Sequence, residues 1–166
     1  MNARRFSALL LAAAVLVPRA TAGQEAAPSA AAAALVVGDT VPGFDAVGLD
    51  GATHQVRFPK GSKTILLFML AGCPACQKMV PEWNRMYARK PKDLTVYAVL
   101  LNQEPPGYFM ATPVSFPILR SPGGDFAKTF KLSHVPVTLR VAAGGRVEDV
   151  GVGPIDALRL GEIFRP

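Results

Sequence analysis

Two cysteines, two histidines and one tryptophan are all that the 166 residues contain of these types. Two cysteines cannot build a framework of several disulfides or a four-cysteine zinc site. Charged residues make up only 18% of the chain, with a formal charge of +6. Arg4, Arg5 and Arg19 fall in a segment expected to be removed, which leaves about +3. No basic stripe interleaved with aromatics is present, so nucleic acid is excluded as a partner. The apolar run at the N-terminus, Phe6 to Val17, is about 12 residues, short of the roughly 20 that a membrane-spanning helix needs. The length has room for one domain with a core and not for a second catalytic one. No internal repeat is visible.

Residues 1–22 have the three parts of a secretory signal: basic Arg4 and Arg5, the apolar run, and the small residues Ala20-Thr21-Ala22. Cleavage is expected before Gly23, with no stable membrane insertion afterwards; retention as an anchor is the alternative, against which the short run argues. No cysteine stands at the cleavage site for lipid attachment. The expected location is therefore the periplasm or cell envelope. Residues 23–35 are alanine-rich, interrupted by Pro28, and have no face that could pack, as in a flexible tether. The domain is expected to occupy 36–166.

Within it, Asp50-Gly51 separates two short apolar alternations, Phe44 to Leu49 and Thr53 to Phe58, a hairpin pattern. Thr64 to Leu70 and Thr95 to Leu101 are unbroken apolar runs, as in strands buried on both faces. Between them Cys76, Val80, Trp83 and Tyr87 recur at helical spacing, predicting an amphipathic helix that ends near Lys90-Pro91 and carries Trp83 on its core stripe. One helical turn is expected around Tyr108 to Ala111, and a short helix over Asp125 to Phe130. Val137 to Val141 and Arg146 to Val150 form a second hairpin about Gly144-Gly145, and a helix over Ile155 to Phe164 closes the chain. This order suits an α/β fold whose mixed sheet has a parallel centre and an antiparallel edge.

The chemistry lies in Cys73-Pro74-Ala75-Cys76, placed where the first buried strand hands over to the long helix. Unpaired amides and the helix dipole at a helix N-terminus favour a negative charge, and the thiolate is the form that attacks disulfides. Cys73, ahead of the first turn, is expected to be the exposed attacking sulfur. Cys76 lies on the apolar stripe, where desolvation should keep it protonated until it resolves a mixed disulfide. As an inert staple so short a loop would remove little unfolded-state entropy.

The run from Ile65 through Cys73-Pro74-Ala75-Cys76 to Pro81 resembles the active-site strand and helix of exported thioredoxin-like proteins of the TlpA/ResA type. Val135-Pro136-Val137-Thr138 looks like their cis-proline loop, and Gly144-Gly145-Arg146 like the hairpin turn that follows. The resemblance covers roughly residues 36–165. It implies a thioredoxin-like fold, a central mixed sheet flanked by helices, with an N-terminal β-hairpin extension. It also implies a cis Pro136 facing the cysteines, Pro74 and Ala75 at the substrate surface, and a Val135 backbone available to pair with an extended client segment. Two positions depart from the pattern. Gly72 stands where thioredoxins usually carry tryptophan, and Leu67 and Met79 stand where many relatives carry a buried acid.

The reading that follows is a thiol-disulfide oxidoreductase of the bacterial envelope, with its own Cys73/Cys76 pair as the redox group and no other cofactor. It exchanges disulfides with client proteins and is recharged by an upstream membrane or envelope donor. The resemblance favours a reductant, for example of the cytochrome c maturation type. Two alternatives use the same residues. Soft thiolates with His134, two residues before Pro136, could bind or deliver copper. A peroxidase of the peroxiredoxin type would need a hydroxyl three residues before Cys73, where Leu70 stands.

Overall fold

The computed structural model describes residues 34–165. The expected signal sequence and all but the last two residues of the expected tether lie outside them. Leu35, assigned to the end of that tether, is buried in the core.

The elements run β1 (Phe44–Gly48), β2 (Thr53–Val56), β3 (Lys63–Met69), α1 (Pro74–Arg89), β4 (Leu94–Leu100) and α2 (Tyr108–Ala111). They continue with β5 (Ile118–Arg120), α3 (Phe126–Thr129), β6 (Val137–Val141), β7 (Val147–Val152) and α4 (Ala157–Ile163). The strands form one mixed sheet in the order β2-β1-β5-β4-β3-β6-β7. β3, β4 and β5 are parallel, while β1, β2, β6 and β7 join antiparallel. This is the thioredoxin-like architecture, with the hairpin β1–β2 added at one edge.

The joint between hairpin and sheet is β5, which the sequence reading did not include. Its three residues, Ile118–Arg120, carry neither the length nor the alternation of a strand pattern. They pair with β4 on one side and with Val47 and Gly48 of β1 on the other. The last helix begins two residues later than its apolar pattern, because the Asp156 carboxylate accepts the Arg159 N–H at 2.8 Å and fixes the first turn.

The first apolar run is buried on both faces as expected, with Ile65 to Met69 each fully buried; the second is so only over Ala98 to Leu100, since Thr95 is exposed and Tyr97 half-buried. The pleat sends Ile65, Leu67 and Met69 into a core with residues of α1 and α4. Leu66 and Phe68 enter a second core with Phe126 and Phe130. Trp83 is fully buried, and its indole N–H donates to Thr138 Oγ1 at 3.1 Å, tying α1 to β6. Trp83→Phe should leave that hydroxyl without its donor and lower stability by about 1–3 kcal/mol. The expected result is a lower urea midpoint at unchanged slope, and adding Thr138→Val to the Trp83→Phe variant should cost little more.

Residues 38–41 run along the start of β7. Gly38 N–H donates to Val147 O, Val147 N–H to Asp39 O, and Val41 N–H to Gly145 O, all at 2.8 to 2.9 Å. Gly145 has φ +83°, and a Cβ there would lie 2.0 Å from Val41 O, so this close approach requires glycine. Further along β7, Val150 N–H donates to its neighbour Asp149 Oδ1 at 2.9 Å. The Arg159 guanidinium takes Val150 O at 3.2 Å while ion-paired to Asp149.

Candidate active site

Cys73 and Cys76 sit at the carboxyl end of β3, at the start of α1. Cys73 is the N-cap of α1, and its sulfur accepts the backbone N–H of Cys76 at 3.2 Å, the role a serine or aspartate oxygen usually fills. Pro74 opens the helix where no N–H is needed. It is exposed and Ala75 half-buried. No disulfide joins the two cysteines in this structure, and their sulfurs lie 2.6 Å apart.

The two sulfurs are unlike. Cys73 is partly exposed and Cys76 is completely buried, packed among Met79, Val80 and the strand residues of the α1 core. Burial, helped by the adjacent Cys73 sulfur and partly offset by the Leu70 backbone, pushes the Cys76 thiol from an ordinary 9.0 up to about 12. No carboxylate is among the groups that act on it. Leu67 and Met79, at the positions where many relatives carry an acid, are both buried apolar side chains.

Val135–Pro136 is a cis peptide. The pairing of Phe68 with Val137 places this loop beside the end of β3, and Val135 and Cys73 both pack on the core that contains Cys76. The Gly153 N–H holds Pro136 O at 2.8 Å. Val135 itself takes no part in the strand ladders or in the loop hydrogen bonds among the described residues.

His134 does not join this group. It is exposed, its Nδ1 lies 3.0 Å from Ser133 Oγ, and no three His, Cys, Asp or Glu side chains among the described residues come together as a metal site. The copper reading, with Cys73, Cys76 and His134 as ligands, therefore finds no ligand set. Ligand softness identified suitable residue types, but the loop leaves His134 turned to its serine neighbour.

One further residue escaped the sequence reading. Asn102, just past β4, accepts the Ala71 N–H at 2.7 Å on Oδ1 and donates from Nδ2 to Ala71 O at 3.2 Å. Ala71 lies two residues before Cys73. A lone asparagine in a loop carries no signal of a contact across 31 positions.

The redoxin family model matches residues 36–157. The chain belongs to the redoxin family. Sporulation thiol-disulfide oxidoreductase A of Bacillus subtilis (strain 168) is 30% identical to this redoxin over 110 residues, 62% of this chain and 67% of the relative. Thiol-disulfide oxidoreductase ResA of Bacillus thuringiensis subsp. konkukian is 24% identical over 115 residues, 67% and 66% of the two chains. The redoxin thus spans about two-thirds of the length of these curated relatives. The crystal structure of StoA from Bacillus subtilis matches with a TM-score of 0.65 at 25% identity, covering 75% of this chain and 97% of that one. The redoxin is accordingly a thiol-disulfide oxidoreductase with its cysteine pair at positions 73 and 76. Among its described residues no helix is long and apolar enough to cross a membrane.

Proposed function

We propose that this redoxin is exported to the cell envelope and there reduces disulfides in client proteins, with Cys73 as nucleophile and Cys76 as resolving thiol. The observation that carries the reading is the asymmetry of the pair. One sulfur caps a helix at the surface; the other is buried with its thiol held protonated. In the first step Cys73 thiolate attacks a client disulfide, forming the Cys73–client bond and releasing one client thiolate. Cys76 then gives up its proton, attacks Cys73 Sγ and releases the second client thiol, leaving the Cys73–Cys76 disulfide. Two electrons have passed to the client, and an upstream donor in the membrane or envelope returns them. The cysteine pair needs no other cofactor. Pro74 and Ala75, inside the pair, and the unpaired Val135 backbone beside Pro136 form the surface on which the client lies. Cytochrome c maturation is one process that consumes such a reductant.

The equilibrium of the pair with a glutathione redox buffer tests the direction. A reductant should sit near the thioredoxin value of about −270 mV, and a value near −120 mV would mark an oxidant instead.

A further inference from the structure

Where β3 ends, Leu101 N–H still donates to Met69 O at 2.9 Å, continuing the parallel ladder with β4. The next rung is made differently. Ala71 N–H and C=O, which a continuing β4 backbone would have bonded, are both taken by the side-chain amide of Asn102. The β4 backbone is thus free to leave towards Pro105-Pro106, while Ala71 stays tied to that side of β3.

This tie fixes the direction of the peptide that follows. In a trans peptide C=O and N–H point opposite ways. With Ala71 O held on the β4 side, the N–H of Gly72 points away from β4. The sheet order places β6, and with it the Val135–Pro136 loop, on that other side of β3. Gly72 N–H makes no backbone hydrogen bond among the described residues. Leu70 to Cys73 form a turn closed by Cys73 N–H to Leu70 O at 3.3 Å, with Gly72 at φ +79°. A positive φ at the third position belongs to the turn type that glycine favours. A side-chain residue would favour the flipped central peptide, although a Cβ at Gly72 meets nothing within 4 Å. Glycine and asparagine therefore hold the same peptide from its two ends.

We propose that Asn102 is a positioning residue that aims the Gly72 N–H at the cis-proline side of the site, where it donates to a backbone carbonyl of the client polypeptide. The proposal rests on the client reading above. It assigns the substrate class: an extended polypeptide flanking the disulfide, gripped on one side by Val135 and on the other by Gly72. A residue with a side chain at position 72 would be strained at this φ.

The test compares two disulfide substrates, a cystine-bridged peptide and 2-hydroxyethyl disulfide, which has no peptide carbonyl. Asn102→Ala is expected to lower kcat/KM for the peptide about two- to tenfold, through KM, the size of one hydrogen bond. The rate with 2-hydroxyethyl disulfide should stay as in the wild type. Gly72→Ala, which leaves Asn102 in place, should act in the same direction, and the double variant should be no worse than the more impaired single one, because both act on one peptide. Equal losses with both substrates, no loss with either, or additive losses would overturn the proposal. If Asn102→Ala does not fold, Gly72→Ala with the two substrates decides by the same criteria. A wild-type protein that reduces neither substrate would instead overturn the oxidoreductase reading.

Discussion

Cys76→Ser should accumulate mixed disulfides with clients, and Cys73→Ser should accumulate none. Cys73 is the partly exposed sulfur at the N-cap of α1, the one that a client disulfide can reach. Cys76 is fully buried and its thiol is held up at about 12, so it cannot open the reaction on a client in solution. Without Cys76 the first step proceeds and nothing resolves it, so the adduct persists until an outside thiol removes it. Turnover should fall by at least the about 10²-fold expected when a positioned reacting group is lost. Non-reducing electrophoresis of cell extracts, followed by peptide mapping of the adduct, reads the outcome. Adducts that map to Cys76 in the Cys73→Ser protein would reverse the assignment.

The resolving step should be slow at neutrality and should speed up with pH. A thiol near 12 is ionised to about one part in 10⁵ at pH 7, and the thiolate is the attacking species. The sign follows directly: burial raises the pKa, the neutral form dominates, and each unit of added pH brings about tenfold more thiolate while pH stays below it. In the mixed disulfide Cys73 no longer adds its share to the shift, but burial, the largest cause, remains. Met79 lies three residues along α1 from Cys76, on the same face and 3% exposed. Met79→Glu should therefore put a desolvated carboxyl beside the thiol, itself raised towards neutrality and suited to act as base. Resolution at pH 7 should rise about 10²-fold, at the cost of some stability for burying an acid. Single-turnover rates between pH 6 and 8, wild type against variant, check this. Fast, pH-independent resolution in the wild type would mean that another base serves Cys76.

The parts of the molecule that repeat are legible in the sequence. β3 and β4 declare themselves as unbroken apolar runs, α1 by its 3.6-residue stripe from Cys76 to Tyr87, and the two hairpins by their Asp-Gly and Gly-Gly turns. The cysteine pair can be placed because it falls between a strand pattern and a helix pattern, and Trp83 belongs to the core from phase alone. The missing parts are short or nonlocal. β5 is three residues long and exists because β4 and β1 offer edges on either side of it. Asn102 matters through a contact with Ala71, 31 positions away, and Thr138 through its bond to Trp83, 55 positions away. His134 shows the reverse case, a residue of the right chemistry that the loop turns elsewhere.

The outer edge of β7 has a consequence for solubility. An open strand edge is a template on which another chain can add itself, and such addition, once begun, tends to propagate. Here part of that template is already occupied, although the exposed Val152 at the end of β7 has no such cover among the described residues. At Val147 the chain's own residues 38 and 39 take the edge groups, and at Val150 the Asp149 carboxylate and the Arg159 guanidinium do. Covering β7 at these two positions removes sites for unproductive strand addition, while the backbone of Val135, beside the cysteines, stays unpaired among the described residues.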